Sequence, residues 1–199
     1  MKKLLVLLFF VPIISFAQFT KGNKFIGGNV SYSRYSYEGG TDSKPFNSIF
    51  DLEGQLGFFS SESFAVGPVL NIFSQSRPSI NPVTNLFEQT NSSGVMAGVF
   101  ARKYFPISEM FLFSMEGKVL GGIRSSDNDS EDESNGQLKV GFRPVFTFLP
   151  SSKWGFEAGV GNLSYEVNTA NYLSDQTVFL ANLGQVSLGV VYFFNRTAE

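Results

Sequence analysis

The chain has 199 residues, a formal net charge of −2 at pH 7, 23 Phe and 20 Gly, and it contains neither His nor Cys. The length suits one domain with a sizeable interior. The missing residue types exclude disulfides, thiolate nucleophiles, zinc–thiolate and iron–sulfur sites, a lipid anchor on a cysteine, and catalysis by a Ser–His pair. No basic excess indicates nucleic-acid binding.

The N-terminal stretch MKKLLVLLFFVPIISFAQ has the three parts of an export signal. Two lysines precede an apolar run from Leu4 to Ile14, and SFA, residues 15–17, is a small-x-small cleavage site. The apolar run is shorter than the roughly 20 residues of a spanning helix. We therefore predict that residues 1–17 are a cleaved signal peptide and that residues 18–199 form the mature domain.

Beyond this segment, apolar and polar residues alternate with period two in eight stretches, a pattern typical of strands with two unlike faces. The predicted strands are Lys24–Tyr37, Phe46–Phe59, Phe64–Phe73, Gly94–Phe105, Phe111–Arg124, Gln137–Phe148, one that begins at Trp154, and Leu183–Phe194. In the second strand, FDLEGQLGFF sets Phe50, Leu52, Leu56 and Phe58 against Asp51, Glu53 and Gln55. The seventh strand loses phase near Asn162, which predicts a bulge. Pro68 and Pro144 cannot donate to a ladder and fit irregular positions.

The predicted connections are of two kinds. Residues 60–63, 106–110 and 150–153 form tight turns, whereas 38–45, 74–93, 125–135 and about 168–177 form longer polar loops. Short and long connections alternate, as in outer-membrane barrels with short periplasmic turns and longer extracellular loops. Each predicted strand supplies the roughly 9 to 11 residues that a tilted strand needs to cross a bilayer.

Aromatic residues collect at both predicted ends of the strands, which indicates two interfacial girdles. The residues near the turns are Phe58, Phe59, Phe64, Tyr104, Phe105, Phe111, Trp154, Tyr192 and Phe194. The residues near the loops are Tyr32, Tyr35, Tyr37, Phe46 and Phe73.

The composition of the two faces decides which face meets which solvent. A soluble periplasmic barrel or sandwich also alternates, but its apolar face points inward. Here the apolar faces carry several Phe per hairpin, and the opposite faces are rich in Gly, Ser, Asn and Thr, which fit the narrow interior of eight strands. Open sheet edges cannot lie in hydrocarbon. The sequence therefore favours an all-β fold, an eight-stranded antiparallel up-and-down transmembrane β-barrel.

Five segments carry a resemblance to a known family: KGNKFIGGNVSYS, LGFFSSESFAVGPVL, GVFARKYFPIS, FRPVFTFLPSSKWGFEAGVGNLSY and QVSLGVVYFF. Over the mature chain the sequence resembles the small outer-membrane β-barrel family of the OmpA/OmpX-like kind, in the form common in Bacteroidota. The resemblance implies the barrel fold and an outer-membrane location, and it is weak for any activity. The sequence differs from this family at its C-terminal end. Such barrels usually end on an aromatic residue that the barrel-assembly machinery reads, whereas here residues 195–199 follow Phe194.

Charged residues on the predicted inward faces are the candidate site. They are Asp51, Glu53, Arg102, Glu116, Lys118, Lys139, Arg143 and Glu157, with Arg124 nearer the loops. They could line an ion pathway, as in channel constrictions. They could instead form a paired network that fills the lumen, because buried charges need partners. The narrow interior of eight strands favours the second interpretation.

The sequence indicates no cofactor, metal or catalytic site. The acidic loop at Asp127, Asp129 and Glu131 to Glu133 could hold calcium, but it lacks the Gly and the distal Glu of an EF-hand, so a solvated loop is favoured. Lipid A deacylases and palmitoyltransferases are barrels of similar size that use a Ser with a His, and this chain has no His. We therefore predict that the protein is not an enzyme.

The predicted function is that of a non-enzymatic outer-membrane barrel with a side-chain-filled lumen and a structural or loop-mediated role. The alternatives are a narrow porin or small-ligand-binding barrel, and a soluble periplasmic barrel. Expected partners are outer-membrane lipid and lipopolysaccharide, the barrel-assembly machinery during biogenesis, and an extracellular partner bound by the loops. We expect a monomer that does not bind nucleic acid.

Overall fold

The computed structural model describes residues 19–36, 46–80, 87–128, 131–169 and 176–194. The predicted signal peptide, Tyr37, the predicted loop 38–45 and the tail after Phe194 lie outside these residues. In the described part of the chain, no helix is long and apolar enough to cross a membrane.

Eight strands form one closed barrel in which every strand pairs antiparallel with its neighbours in the chain and β1 pairs with β8. The strands are β1 Lys24–Ser36, β2 Phe46–Ser61, β3 Phe64–Ile80, β4 Phe87–Pro106, β5 Phe111–Asn128, β6 Glu131–Phe148, β7 Trp154–Thr169 and β8 Gln176–Phe193. The order contains no crossover, so the predicted eight-stranded antiparallel up-and-down barrel is confirmed.

The two faces of each strand point as the alternation predicted. On β2, Leu52 is 45% exposed, whereas Glu53 is 4% exposed and Gln55 is 3% exposed. The other strands also turn apolar side chains outward, and their inward faces combine polar side chains with apolar ones such as Phe25, Met96, Phe100 and Leu120. The barrel is therefore apolar on its outer surface and polar over much of its interior.

Three tight turns connect the strands at one end of the barrel, called here the turn end. They follow Ser61, Pro106 and Phe148, as predicted. The turns also bond to their neighbours: the Tyr104 amide of β4 donates to the Ser63 carbonyl at 2.8 Å, and the Leu149 amide donates to the Met110 carbonyl of the adjacent turn at 2.8 Å. The opposite end, called the distal end, is where β1–β2, β3–β4, β5–β6 and β7–β8 are joined.

The strands reach further toward the distal end than the sequence predicted. The predicted loops 74–93 and 125–135 are wrong over most of their length, because β3 continues to Ile80, β4 begins at Phe87, and β5 and β6 extend to Asn128 and from Glu131. Where both faces of a hairpin meet water, its strands need no apolar side chains, but the backbone hydrogen bonds between them continue. The hydrophobic alternation therefore fades before the hydrogen bonding does.

Irregular positions interrupt the ladders where the sequence predicted them. The register between β7 and β8 shifts between Val160 and Asn162, and Gly161 has φ +73°. The extra residue turns the polar side chains beyond it into the lumen. In the ladder between β6 and β7 the register shifts between Phe142 and Val145, the interval that contains Pro144. At Pro68 the β2–β3 ladder loses its paired positions without a change of register.

Gly161→Ala tests the bulge. An L residue at this positive φ costs about 1–2 kcal/mol, so the free energy of unfolding should fall by that amount. Gly121→Ala is the matched control, because a Cβ at Gly121 meets no atom within 4 Å. Urea unfolding in detergent micelles, followed through the single tryptophan, measures both. Equal midpoints for the two variants would contradict the assignment.

Candidate functional site

The centre of the lumen is set by strand register. Arg102 on β4 lies directly opposite Glu116 on β5, and Glu116 lies directly opposite Arg143 on β6. Side chains that face each other across adjacent strands on one face are close enough to interact. The register therefore places an alternating row of basic, acidic and basic groups across three strands.

Three further charged side chains complete a cluster around this row, called here the lumen network. The Arg102 guanidinium pairs with Glu116 and donates from Nη1 to Oε1 of Glu157 at 2.5 Å. Arg143 donates from Nε to Oε1 of Glu116 at 2.8 Å and from Nη2 to Oε1 of Glu53 at 3.1 Å. Lys118 Nζ lies 3.0 Å from Oε1 of Glu116 and also pairs with Glu53.

The lumen network is electrically balanced and enclosed. Its acidic members are Glu53, Glu116 and Glu157, and its basic members are Arg102, Lys118 and Arg143. Arg102 and Glu116 have no exposed surface. Buried charges are tolerated when partners and hydrogen bonds satisfy them, and each charge here has an opposite partner. The cluster can therefore fill the lumen without leaving a net charge inside.

Two of the predicted site residues lie on the lumen side but outside this network. Asp51 accepts a hydrogen bond from Asn71 Nδ2 at 3.0 Å, and Lys139 pairs with Glu166 at 2.9 Å. Glu166 was missed by the sequence analysis, because it follows the bulge at Gly161 and the parity counted from the start of β7 does not carry past that position. The bulge predicted near Asn162 shifts the parity by one residue, and that shift, carried on along the strand, turns Glu166 inward.

A layer of aromatic rings, called here the plug, closes the lumen at the turn end. Its members are Phe19, Phe25, Phe59, Tyr104 and Phe193, each at most 2% exposed. Phe19 stacks on Phe59 with ring centroids 4.2 Å apart and lies 5.0 Å from Phe193 and 5.3 Å from Tyr104. Such contacts add to the free energy of apolar burial.

The plug corrects part of the predicted girdles. Phe59 and Tyr104 were expected at the membrane interface, but their strand parity turns them into the lumen. Phe73, expected in the other girdle, also points inward and packs against the buried apolar cluster. Other turn-end aromatics do point outward, and these are Phe58, Phe111, Trp154 and Phe194 at 43–50% exposure.

The segment before β1 carries the central ring of the plug. Gly22 has φ +93° and its amide donates to the Phe59 carbonyl at 2.9 Å, while the Phe59 amide donates to the Asn23 carbonyl at 2.9 Å. These bonds fold the segment back across the turn end, so that Phe19 enters the lumen. Phe19 lies close to the predicted cleavage site, which marks it as a residue near the predicted mature terminus. No pattern in the sequence indicated that its ring enters the lumen.

Arg102 joins the plug to the lumen network. Its guanidinium carbon lies 5.8 Å from the ring centroids of Phe25 and Phe100 and 5.7 Å from that of Tyr104. A guanidinium at this distance from aromatic faces gains cation–π attraction, most strongly where water is excluded. The plug and the network are therefore one continuous packed unit.

On the distal side of the lumen network lies a cavity of about 500 Å³. Every strand except β4 contributes polar side chains to its lining, and the apolar lining residues are Ile49, Phe73, Met96, Leu120, Phe142, Leu180 and Ala181. The described side chains contain no group of three or more His, Cys, Asp or Glu residues able to hold a metal ion. For Asp127, Glu131, Asp132 and Glu133 only the backbone is described, in the paired ends of β5 and β6, and Asp129 lies outside the described residues.

No protein-family model and no curated protein sequence matches the chain. Among solved structures, neisserial surface protein A (NspA) has 12% identity and a TM-score of 0.57 over 87% of this chain and 98% of that chain. The N-terminal β-barrel domain of Pseudomonas aeruginosa OprF has 8% identity and a TM-score of 0.48, with coverage of 87% and 98%. Ail of Yersinia pestis has 16% identity and a TM-score of 0.42, with coverage of 88% and 100%.

The topology and the likeness to NspA define the class of protein: a small, closed, eight-stranded antiparallel barrel. More particularly, the chain shares its fold with NspA, and at 12% identity that likeness concerns the fold alone.

Glu116→Gln tests the balance of the lumen network. The substitution leaves three buried cations facing two carboxylates, and breaking a buried pair costs about 3–5 kcal/mol. The guanidinium chloride midpoint in detergent should fall accordingly. Glu109→Gln, in the exposed turn after β4, is the control and should leave the midpoint unchanged. If both variants unfold at the wild-type midpoint, the network does not stabilise the barrel.

Proposed function

We propose that the protein is a non-enzymatic outer-membrane barrel whose lumen is sealed by its own side chains, and that it acts structurally or through its distal end. The observation that carries the proposal is the inverted distribution of side chains, with a neutral charge cluster inside and an apolar belt outside. A soluble barrel has the opposite arrangement.

The apolar belt runs around the whole circumference. Every strand contributes at least one outward hydrophobic side chain that is 44–62% exposed, here Ile26, Leu52, Leu70, Val99, Val119, Val140, Phe156 and Leu188. Contiguous apolar surface of this extent marks contact with a membrane or a partner. Closure of the barrel also supplies partners for the strand backbone within hydrocarbon. These features support the transmembrane placement over the soluble alternative.

Two layers support a sealed lumen over an open pore. The plug removes space at the turn end, and the lumen network fills the level above it with paired charges. Eight strands leave an interior just wide enough for side chains. We assign no catalytic step: Ser164 Oγ donates to Oε1 of Glu166 at 3.4 Å in the lumen, but that carboxylate oxygen is held in an ion pair with Lys139 at 2.9 Å.

The proposal includes the partners that such a barrel requires. The belt would contact outer-membrane lipid and, at the distal end, lipopolysaccharide, and the barrel-assembly machinery would insert the exported chain as a monomer. Outward aromatics near the end of β8, Tyr192 and Phe194, support the insertion step. The distal hairpins would meet any extracellular partner. The assignment to the form common in Bacteroidota rests on the sequence segments alone.

Gel mobility tests membrane-barrel character. Unheated protein from the outer-membrane fraction should migrate at a different position from heated protein, because a closed barrel resists detergent unfolding. Recovery of the mature chain in the soluble periplasmic fraction, with no mobility shift, would refute the membrane proposal.

Planar-bilayer recording tests the seal. The wild-type protein should carry no steady current, and a variant combining Glu116→Ala with Phe59→Ala and Phe193→Ala should conduct, because it removes a network centre and two plug rings. A matched variant with outward changes, Phe58→Ala and Phe156→Ala, should stay closed. A steadily conducting wild type would support the narrow-pore alternative instead.

A further inference from the structure

The cavity on the distal side of the lumen network has the properties of a ligand site. Its volume of about 500 Å³ lies in the range of about 300–1,000 Å³ typical of small-molecule pockets. Amide and hydroxyl side chains from strands around the barrel face it, among them Asn29, Asn47, Gln75, Gln137, Asn162 and Gln185. Such groups bind hydroxyl-bearing molecules through hydrogen bonds.

Two arginines in the cavity wall have no carboxylate partner within the described part of the chain. Arg124 uses only Nη2, which donates to Ser92 Oγ at 2.7 Å and to Gln75 Oε1 at 3.2 Å. Arg77 is exposed at the distal side of the same wall, and its charge acts unfavourably on Arg124. Guanidinium groups left with unused donors are suited to bind carboxylate or phosphate.

The other charges of the cavity do not neutralise this pair. Glu166 is the carboxylate whose charge acts on Arg124, but it is engaged by Lys139 at 2.9 Å and by Gln137 Nε2 at 3.4 Å. Asp51 is held by Asn71. The lumen network below is neutral by itself. Outside the network, the described lining therefore carries the cations Arg77, Arg124 and Lys139 against the carboxylates Asp51 and Glu166, an excess of one positive charge.

Two buried acceptors in the same lining lack a donor among the described residues. Oε1 of Gln137 and Oδ1 of Asn47 make no hydrogen bond, and Gln137 is only 8% exposed. An unsatisfied buried acceptor destabilises the protein, and a ligand hydroxyl that donates to it would remove that cost. The cavity thus presents donors for an anion and acceptors for hydroxyls.

We propose that this cavity binds a small hydroxyl-bearing organic anion, a phosphate or carboxylate on a polyol or sugar, with the anionic group between Arg77 and Arg124 and a hydroxyl donating to Gln137. The lumen network forms the floor of the site and separates it from the turn end. The site therefore captures its ligand without providing a path through the barrel.

The barrel wall beside the cavity admits such an anion from two sources, a free solute and a membrane lipid. β1 and β8 share six registered pairs, from Phe25–Phe193 to Val30–Leu188, and no pairs join the rest of their described lengths. Above Val30 only a side-chain bond from Gln185 Nε2 to Ser31 Oγ, at 3.3 Å, is described between these strands. Leu183, at 83% exposure, lies on β8 along this seam. A free solute can enter from the distal end, and a lipid headgroup can enter through the seam.

Isothermal titration calorimetry on the mature chain in detergent micelles tests the site with three probes. Glucose 6-phosphate should bind, neutral glucose should bind at least about tenfold more weakly, and added salt should weaken the phosphate binding. Short-chain phosphatidylglycerol, whose headgroup joins a phosphate to free hydroxyls, is the lipid probe. If this lipid binds more tightly than glucose 6-phosphate, and glucose 6-phosphate displaces it, the natural ligand is a lipid headgroup. If only the sugar phosphate binds, the natural ligand is a free solute.

Variants locate the site. Arg77→Gln and Arg124→Gln should each weaken glucose 6-phosphate binding by about tenfold or more. Arg34→Gln is the matched control, because Arg34 stacks over Phe46 at 4.2 Å and is exposed away from the cavity. Heat-dependent gel mobility confirms that each variant is folded, so a failure of binding is distinguishable from a failure of the barrel. The proposal is overturned if glucose binds as well as its phosphate, if no probe binds, or if all three arginine variants behave alike.

Discussion

The buried pairing of Arg102 with Glu116 and Glu157 is the interaction on which the rest of the lumen depends. Arg102 is the basic partner of both carboxylates, and desolvation of an unpaired charge costs several kcal/mol. Their mutual position follows from strand register rather than from local sequence. A shift of one residue between β4 and β5 would turn one face of charges toward the lipid side. The network thus makes the register of the closed barrel energetically specific.

The interior is organised in levels along the barrel axis. Aromatic rings occupy the turn end, Arg102 joins them to the charges, and the cavity begins beyond Glu53 and Lys118. Each level has a different physical basis: apolar burial, charge pairing, and unsatisfied polar groups that favour a ligand. The plug and the lumen network therefore stabilise the barrel, and the distal cavity is free to bind a ligand.

Much of the fold followed from period-two alternation, because an apolar outward face leaves its signature on every strand. The bulge near Asn162 was also predictable, since it breaks that period. The distal strand lengths were not, because hydrogen-bonded pairing continues at Ser92 and Ser126 after the apolar signal ends. For the candidate site residues, the alternation of strand positions predicted which side chains point into the lumen. The partners of Lys139 and Asp51 were not predicted. Glu166 faces Lys139 only in the register beyond the irregularity between Phe142 and Val145, and Asn71 lies diagonally from Asp51 on the neighbouring strand.

The inserted Phe19 has a practical consequence for handling the protein. The ring of Phe19 is held inside the stack at the turn end, so a change that displaces this ring would open the aromatic layer. A tag fused directly ahead of Phe19 would add bulk at this point and compete with the ring for its place. Fusion points at the far hairpins leave the ring stack untouched and are the better choice for labelling or immobilising this barrel.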